Sequence, residues 1–371
     1  MRRVWDVLKF AGRWVGPLLI LLALYLYLFP LGPFMSGLGF VVAVPGAVLT
    51  GAASMFTRAP ERRTSRRILA IVTLAGIVVA GWQFAETKRG YAYHQEAISF
   101  ENRGARLAGA MYLPDRQGRV PGIVLVHGSG DLPRSSQTGM ARQLVRRGYA
   151  VILYDKRGTG ESTGHFEKVQ ALRPDNIDLL ASDASAAHDV LAARREVRPD
   201  MVGFFGGSQA GWIIPRAAVL NGHAAFMLLL SGPVVSTHHW LQYERLHLGP
   251  PNGGATLGKI LNAFSRGDIP KGMTPDQAWE ASQKRPLDLP YGNYDPVADL
   301  RALNIPGLWL LGDRDWMVPS GSTARNLDAL RALGKPYEYR RIPGAGHAML
   351  PSPGRLVERT LEQWLARVTS R

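Results

Sequence analysis

The run Met201-Val202-Gly203-Phe204-Phe205-Gly206-Gly207-Ser208-Gln209-Ala210-Gly211-Trp212 decides the fold class. Its first five residues are apolar and strand-like. Gly206, Gly207, Ala210 and Gly211 then surround Ser208 with small side chains, and Trp212 to Leu220 has a helix-forming composition. Strand, tight turn and helix together are the setting of a nucleophile elbow. Such a turn strains the serine backbone and holds its hydroxyl at the N-terminus of a helix, whose dipole favours developing negative charge. The general form is G-x-S-x-G; here the last position is Ala210, with glycine one step later at Gly211. Small-residue turns also join strands to helices for structural reasons alone, so the chemistry requires partners. A serine nucleophile needs a base, an acid that orients the base, and donors for an oxyanion. On this fold they follow strand ends in the order Ser, Asp, His.

The acid is expected in Pro306 to Pro319, where an apolar run ends at Gly312 and Asp313 and Asp315 follow. Asp315 is preferred, because Asp313 falls directly in the turn and is expected to cap it through local backbone hydrogen bonds. The base is expected at His347, after the strand-like run Tyr337 to Ile342 and between small residues on both sides. His127 also ends a strand but precedes the serine. His238 and His239 are adjacent, so their side chains diverge, and His94, His165, His188, His223 and His247 lack the strand-end context. The oxyanion donors are expected to be the backbone amides of Ser129 and Gln209. Ser129 belongs to His127-Gly128-Ser129-Gly130, which follows the buried-type strand Val120 to Val126, and Gly130 is the alternative donor in that loop.

These segments resemble the α/β-hydrolase superfamily over roughly residues 95–370. The likeness rests on Leu125 to Gly130, Tyr154 to Ser162, the Ser208 turn, Gly312 to Pro319 and Gly344 to His347. It looks like the bacterial esterase and serine-aminopeptidase-like branch, in which G-G-S-Q-A-G-W followed by a proline such as Pro215 is familiar. The resemblance implies a mostly parallel central sheet with helices on both faces and a Ser-Asp-His triad. It also implies that Asp155 and Arg157 pin their loop near the active site rather than take part in catalysis.

The rest of the region agrees with an α/β class. Gln95 to Phe100 and Arg106 to Leu113 alternate apolar and polar residues, as an antiparallel hairpin does. Strand-like runs recur at Val120, Ala150, Met201, Ala224, Gly307 and Tyr337. Helical patterns lie between most of them, notably Asp175 to Arg195, Ser322 to Leu333 and Pro353 to Val368, and such alternation means a parallel sheet. From about residue 233 to 304 the alternation breaks, a stretch too long for a plain connection. It carries Trp240, Tyr243, Leu246, Leu248, Ile260, Leu261, Phe264 and Trp279. A helical lid that lines an acyl-binding cavity is expected there.

The first 90 residues differ in kind. No charged residue occurs from Trp14 to Thr57, and a second uncharged run covers Ile68 to Ala85. A membrane-spanning helix takes ~20 residues, so the runs suit three spans at about 14–30, 35–56 and 68–85. They are too long for the apolar core of a signal peptide and show no polar face. Arg2, Arg3, Lys9 and Arg13 precede the first span, and Arg58, Arg62, Arg63, Arg66 and Arg67 sit between the second and third. Basic flanks stay cytoplasmic, so three spans put residues 91–371 on the periplasmic side of a bacterial inner membrane, whereas a re-entrant hairpin over Trp14 to Thr57 changes the argument and a single tilted span there reverses the side.

The chain's net charge is +15; residues 1–90 contribute 11 Lys/Arg against 3 Asp/Glu, more than half of the excess. Such flanks suit anionic lipid head groups, and no aromatic-basic groove points to nucleic acid. There is no cysteine, which excludes a thiol nucleophile, a disulfide framework and a thiolate metal site. No metal-ligand cluster, Walker-type loop or dinucleotide fingerprint appears, and the reaction implied needs no cofactor. The expectation is a membrane-anchored serine hydrolase that cleaves carboxylic esters of a small-molecule acyl substrate, with the tether pointing to one that is lipid-like or found at the membrane surface. A thioesterase or small-peptide hydrolase would use the same triad, and a non-catalytic membrane binding protein is the rival from another class.

Overall fold

Two strands start the described chain, and the alternation expected of both holds only in β1. β1 (Tyr93–Asn102) and β2 (Ala105–Pro114) form the expected antiparallel hairpin. β1 is half exposed because it is an edge, whereas β2 is almost wholly buried because it pairs on both sides. The computed structural model describes residues 90–166, 172–247, 273–284, 293–349 and 355–370. The three expected membrane spans lie outside the described residues; among the described residues no helix is long and apolar enough to cross a membrane.

Strands and helices then alternate. β3 (Val120–Val126), α1 (Thr138–Arg146), β4 (Ala150–Tyr154), α2 (Pro174–Ala192), β5 (Val197–Gly207), α3 (Ala210–Asn221) and β6 (Met227–Leu230) come first. An insertion follows with α4 (Thr237–His247), α5 (Pro275–Gln283) and α6 (Pro296–Ala302), and the chain closes with β7 (Gly307–Gly312), α7 (Ser320–Ala332), β8 (Tyr337–Ile342) and α8 (Leu356–Thr369). The strand expected near Ala224 begins only at Met227, because Ala225 already bonds to Val202 as part of the connection.

The eight strands form one sheet in the order β1-β2-β4-β3-β5-β6-β7-β8. Every pair from β4 onward is parallel. This is the mostly parallel central sheet that the resemblance implies. Short apolar strands buried on both faces make it possible: β4, β6 and β7 have no exposed residue. Successive side chains point to opposite faces. Val124, Val126, Val202, Phe204, Leu229 and Leu311 therefore face one core with α2, α3 and α7. Ile123, Leu125, Phe205, Leu228 and Leu310 face the other with α1 and α8.

The register fixes where loops emerge. Val126 pairs with Gly206, Gly207 with Leu230, Leu230 with Leu310, and Gly312 with Ile342. The carboxyl ends of β3, β5, β6, β7 and β8 therefore lie along one margin, where open α/β sheets hold their ligands. Within the insertion, Tyr243 and Trp279 pack with Trp316, the residue after Asp315, and Trp240 packs against them. The Trp240 indole donates to Met317 O at 2.6 Å. Leu248, Ile260, Leu261 and Phe264 lie outside the described residues.

Candidate active site

The Ser208 turn is built from close approaches. Ser208 has φ +55°, a left-handed conformation rare for a residue with a side chain. Its N–H donates to Leu230 O at 3.0 Å, which ties it to the end of β6. A Cβ at position 206 would lie 2.5 Å from Ala210 Cβ and 2.7 Å from Val126 O, so only glycine fits there. That contact also accounts for Ala210 in place of the motif's last glycine, because its methyl occupies the space that Gly206 leaves open. Gly211 N bonds to Ser208 O at 2.8 Å, so α3 starts directly beneath the serine. Ser208 itself is half-buried, within reach of solvent.

The loops after β7 and β8 are sewn to each other. Arg314 N donates to Ala345 O at 2.9 Å, and a Cβ on Gly312 would lie 2.4 Å from that same oxygen. This approach brings His347 Nδ1 to 3.0 Å from both carboxylate oxygens of Asp315, which is fully buried. Asp315 Oδ1 also accepts from Met317 N and Val318 N, each at 2.9 Å. The turn-capping bonds expected of Asp313 are thus made by Asp315, while Asp313 Oδ1 is buried without a hydrogen-bond partner. An acceptor on Nδ1 selects the Nδ1–H tautomer and leaves the lone pair on Nε2, the form that can take a proton. Ser231 Oγ donates to His347 O at 2.9 Å. Neighbouring residues at the end of β6 thereby hold both Ser208 and His347.

The loop after β3 lies against the serine: a Cβ on Gly128 would stand 3.6 Å from Ser208 Cβ. Ser129 and Gly130 are exposed there, and Gln209 is buried. His127 turns inward instead, its Nε2 donating to Tyr154 O. Burial lowers its pKa to about 4, with the Lys156 charge adding to the effect and the Tyr154 bond and Asp155 opposing it. It is therefore a neutral structural group.

The loop after β4 is pinned as expected. Asp155 accepts from Arg134 N at 2.6 Å and Glu161 N at 2.9 Å and pairs with the Arg134 guanidinium. Arg157 grips Asp183 of α2 with two bonds, of 2.8 and 2.6 Å. Sequence reasoning missed three residues here: Asp183, Ser231 and Lys156. Asp183 and Ser231 carry no local signal, since their roles arise from contacts across 26 and 116 residues. A lysine beside two pinning residues was a visible signal, because a charged side chain next to a buried pair must itself find acceptors.

Residues 123–359 match the alpha/beta hydrolase family. Among curated proteins, the chain is 26% identical over 245 residues to the uncharacterized protein Rv2307c of Mycobacterium tuberculosis, covering 66% of this chain and 69% of that one. Among solved structures it resembles an esterase of Pyrobaculum calidifontis, with TM-score 0.50 and 18% identity over 77% of this chain and 88% of that one. It also resembles the acylaminoacyl peptidase of Pyrococcus horikoshii, with TM-score 0.53 and 14% identity over 78% of this chain and 44% of that one.

Proposed function

We propose that this chain, which belongs to the alpha/beta hydrolase family, is a serine hydrolase that cleaves carboxylic esters of small-molecule acyl substrates. The observation that carries this reading is the buried Asp315 holding His347 Nδ1 through both oxygens, at the sheet margin where strained Ser208 stands. Ser208 Oγ attacks the acyl carbonyl as His347 Nε2 takes its proton. The C–O bond to the leaving alcohol breaks as the imidazolium returns that proton to it. Water, activated by the same Nε2, then attacks the acyl-enzyme and releases the acid and Ser208. Asp315 keeps the tautomer and offsets the imidazolium charge. The Ser129 and Gln209 amides receive the oxyanion, and loss of one such donor costs ~10²–10³ in rate.

A fluorophosphonate probe and a series of p-nitrophenyl esters test the assignment on detergent-solubilised protein. Labelling of Ser208, with turnover abolished in Ser208→Ala, is expected; unchanged turnover in that variant ends the proposal. Preferential hydrolysis of thioesters or peptide anilides would move the substrate class to that of the alternatives with the same triad. The uncharged runs Trp14 to Thr57 and Ile68 to Ala85 support a membrane tether, and the basic residues before the first and between them support the hydrolase being outside. Alkaline phosphatase fused after Arg371 is expected to be active in cells, and an inactive fusion with a fluorescent cytoplasmic counterpart reverses the topology.

A further inference from the structure

Lys156 is the most buried cation at the site's margin, with 2% of its surface exposed. Its Nζ donates to Gly128 O at 3.0 Å, to Gly130 O at 3.3 Å and to Gln209 Oε1 at 2.9 Å. An ammonium has three N–H donors, and these three neutral oxygens take them all. The Phe166 ring covers the charge, 4.6 Å from centroid to Nζ. The acceptors are two carbonyls of the loop after β3 and the side chain of the residue that follows Ser208. Those are the two segments that supply the proposed oxyanion donors.

We propose that Lys156 is the positioning residue of the oxyanion hole: its ammonium ties the loop of Gly128 and Gly130 to Gln209 and thereby aims the Ser129 and Gln209 amides. The inference rests on the serine-hydrolase reading above. The Gly128 carbonyl and the Ser129 N–H belong to one peptide group, and in a trans peptide they point in opposite directions. Fixing Gly128 O toward the buried ammonium therefore turns the Ser129 N–H away from it. A carbonyl that accepts a charge-assisted bond also polarises its peptide and strengthens that N–H as a donor. The bond to Gln209 Oε1 holds the second donor's residue in the same frame. The charge itself is buried between the two segments that carry the donors, where a low dielectric leaves it poorly screened.

Burial lowers the Lys156 pKa to about 8, against the field of Asp131. Among the titratable neighbours, His127 stays neutral and Asp155 is occupied by Arg134 and Glu161 N. Deprotonation would remove one of the three N–H donors and the charge together.

The test uses the full chain with Lys156→Met, which keeps an unbranched apolar stem and loses the donors. A kcat loss of about 10²-fold is expected, with KM within about threefold and the melting temperature showing a folded protein. A trifluoromethyl ketone, which forms a tetrahedral oxyanion on Ser208, is expected to bind weaker by about the same factor as kcat falls. Wild-type kcat is expected to fall above about pH 8, and the variant to lose that alkaline limb. A folded variant with kcat within about twofold of wild type, or one that loses ketone affinity and KM equally, overturns the inference. Should Lys156→Met fail to fold, Gln209→Leu, which removes the side-chain acceptor and keeps the backbone amide, decides: kcat and ketone affinity within about twofold of wild type overturn it, and a matched loss of both with KM unchanged supports it. Ser208→Ala separates the two readings. Turnover that survives it defeats the serine mechanism and this inference together; turnover that it abolishes while Lys156→Met stays at wild-type kcat defeats this inference alone.

Discussion

Asp315 receives the His347 Nδ1–H through both oxygens and two backbone N–H groups through one of them. Each of these bonds constrains the carboxylate, so the imidazole meets an acceptor of fixed position and full charge. Asp315→Asn separates the geometric role from the electrostatic one. The amide keeps an oxygen for Met317 N and Val318 N, but its NH₂ must then face Nδ1. That selects the Nε2–H tautomer, in which the nitrogen needed for proton transfer no longer carries a lone pair. A fall in kcat of about 10³–10⁴-fold with KM changed by less than about threefold is expected on p-nitrophenyl acetate at neutral pH. Equal losses in kcat and stability would instead assign Asp315 to folding. A second expectation concerns Gly206. In Gly206→Ala the new methyl meets Ala210 Cβ at 2.5 Å and Val126 O at 2.7 Å, which costs about 1–3 kcal/mol and displaces Ser208. Adding Ala210→Gly relieves the first clash and leaves the backbone one, so urea midpoints should recover only in part.

The loop between β4 and α2 shows how elements are joined where no strand pairing does it. Arg157 and Asp183 are both buried and meet through two bonds, and Asn102 of β1 adds its Nδ2 to Asp183 at 2.7 Å. One pair thus links the first strand, the β4 loop and α2. Removing one partner leaves an uncompensated buried charge, so Asp183→Leu is expected to cost about 3–5 kcal/mol by urea unfolding, and the double change with Arg157→Met markedly less. A double variant as unstable as the single one would show that the pair is worth more than its packing. The sequence made the strands legible because their pattern is local: Val120 to Val126 and Gly307 to Gly312 are apolar without interruption, as parallel strands buried on both faces must be. His347 and Asp315 were legible because each stands at a strand end among small or turn-forming residues. Three features were not: the capping by Asp315 rather than Asp313, the Ser231 bond to His347 O, and which acceptors Lys156 finds. All three depend on which loops the register brings together, and no periodicity encodes that. Helix α1 is a different case: its buried Met140, Ala141, Leu144 and Val145 recur at helical spacing, but only over nine residues, too short a run to stand out.

At the scale of the whole molecule, two buried bases make stability a function of pH in the same direction but in separate windows. In the folded chain His127 stays neutral down to about pH 4, held there by burial and by the Lys156 charge. Unfolded, its imidazole takes a proton near ~6.5. Between those values the unfolded chain binds the extra proton, so stability falls as pH is lowered from about 6.5 to about 4, by about 3 kcal/mol in all. Lys156 follows the same rule higher up. Folded, it releases its proton near pH 8, whereas the unfolded chain keeps it to ~10.4. Again the unfolded state holds more protons, so this group makes stability rise with pH from about 8 to about 10. Carboxylates paired in the native state add to the acid loss, so the variants rather than the raw curves isolate each group. His127→Gln keeps a donor for Tyr154 O and cannot titrate; its urea midpoint should change less than wild type's between about pH 6.5 and pH 4.5. Lys156→Met should flatten the curve between about pH 8 and pH 10 while leaving the acid limb in place. An acid limb of full size in His127→Gln would mean that the imidazole takes its proton as readily in the folded chain as in the unfolded one, and that burial does not hold it neutral.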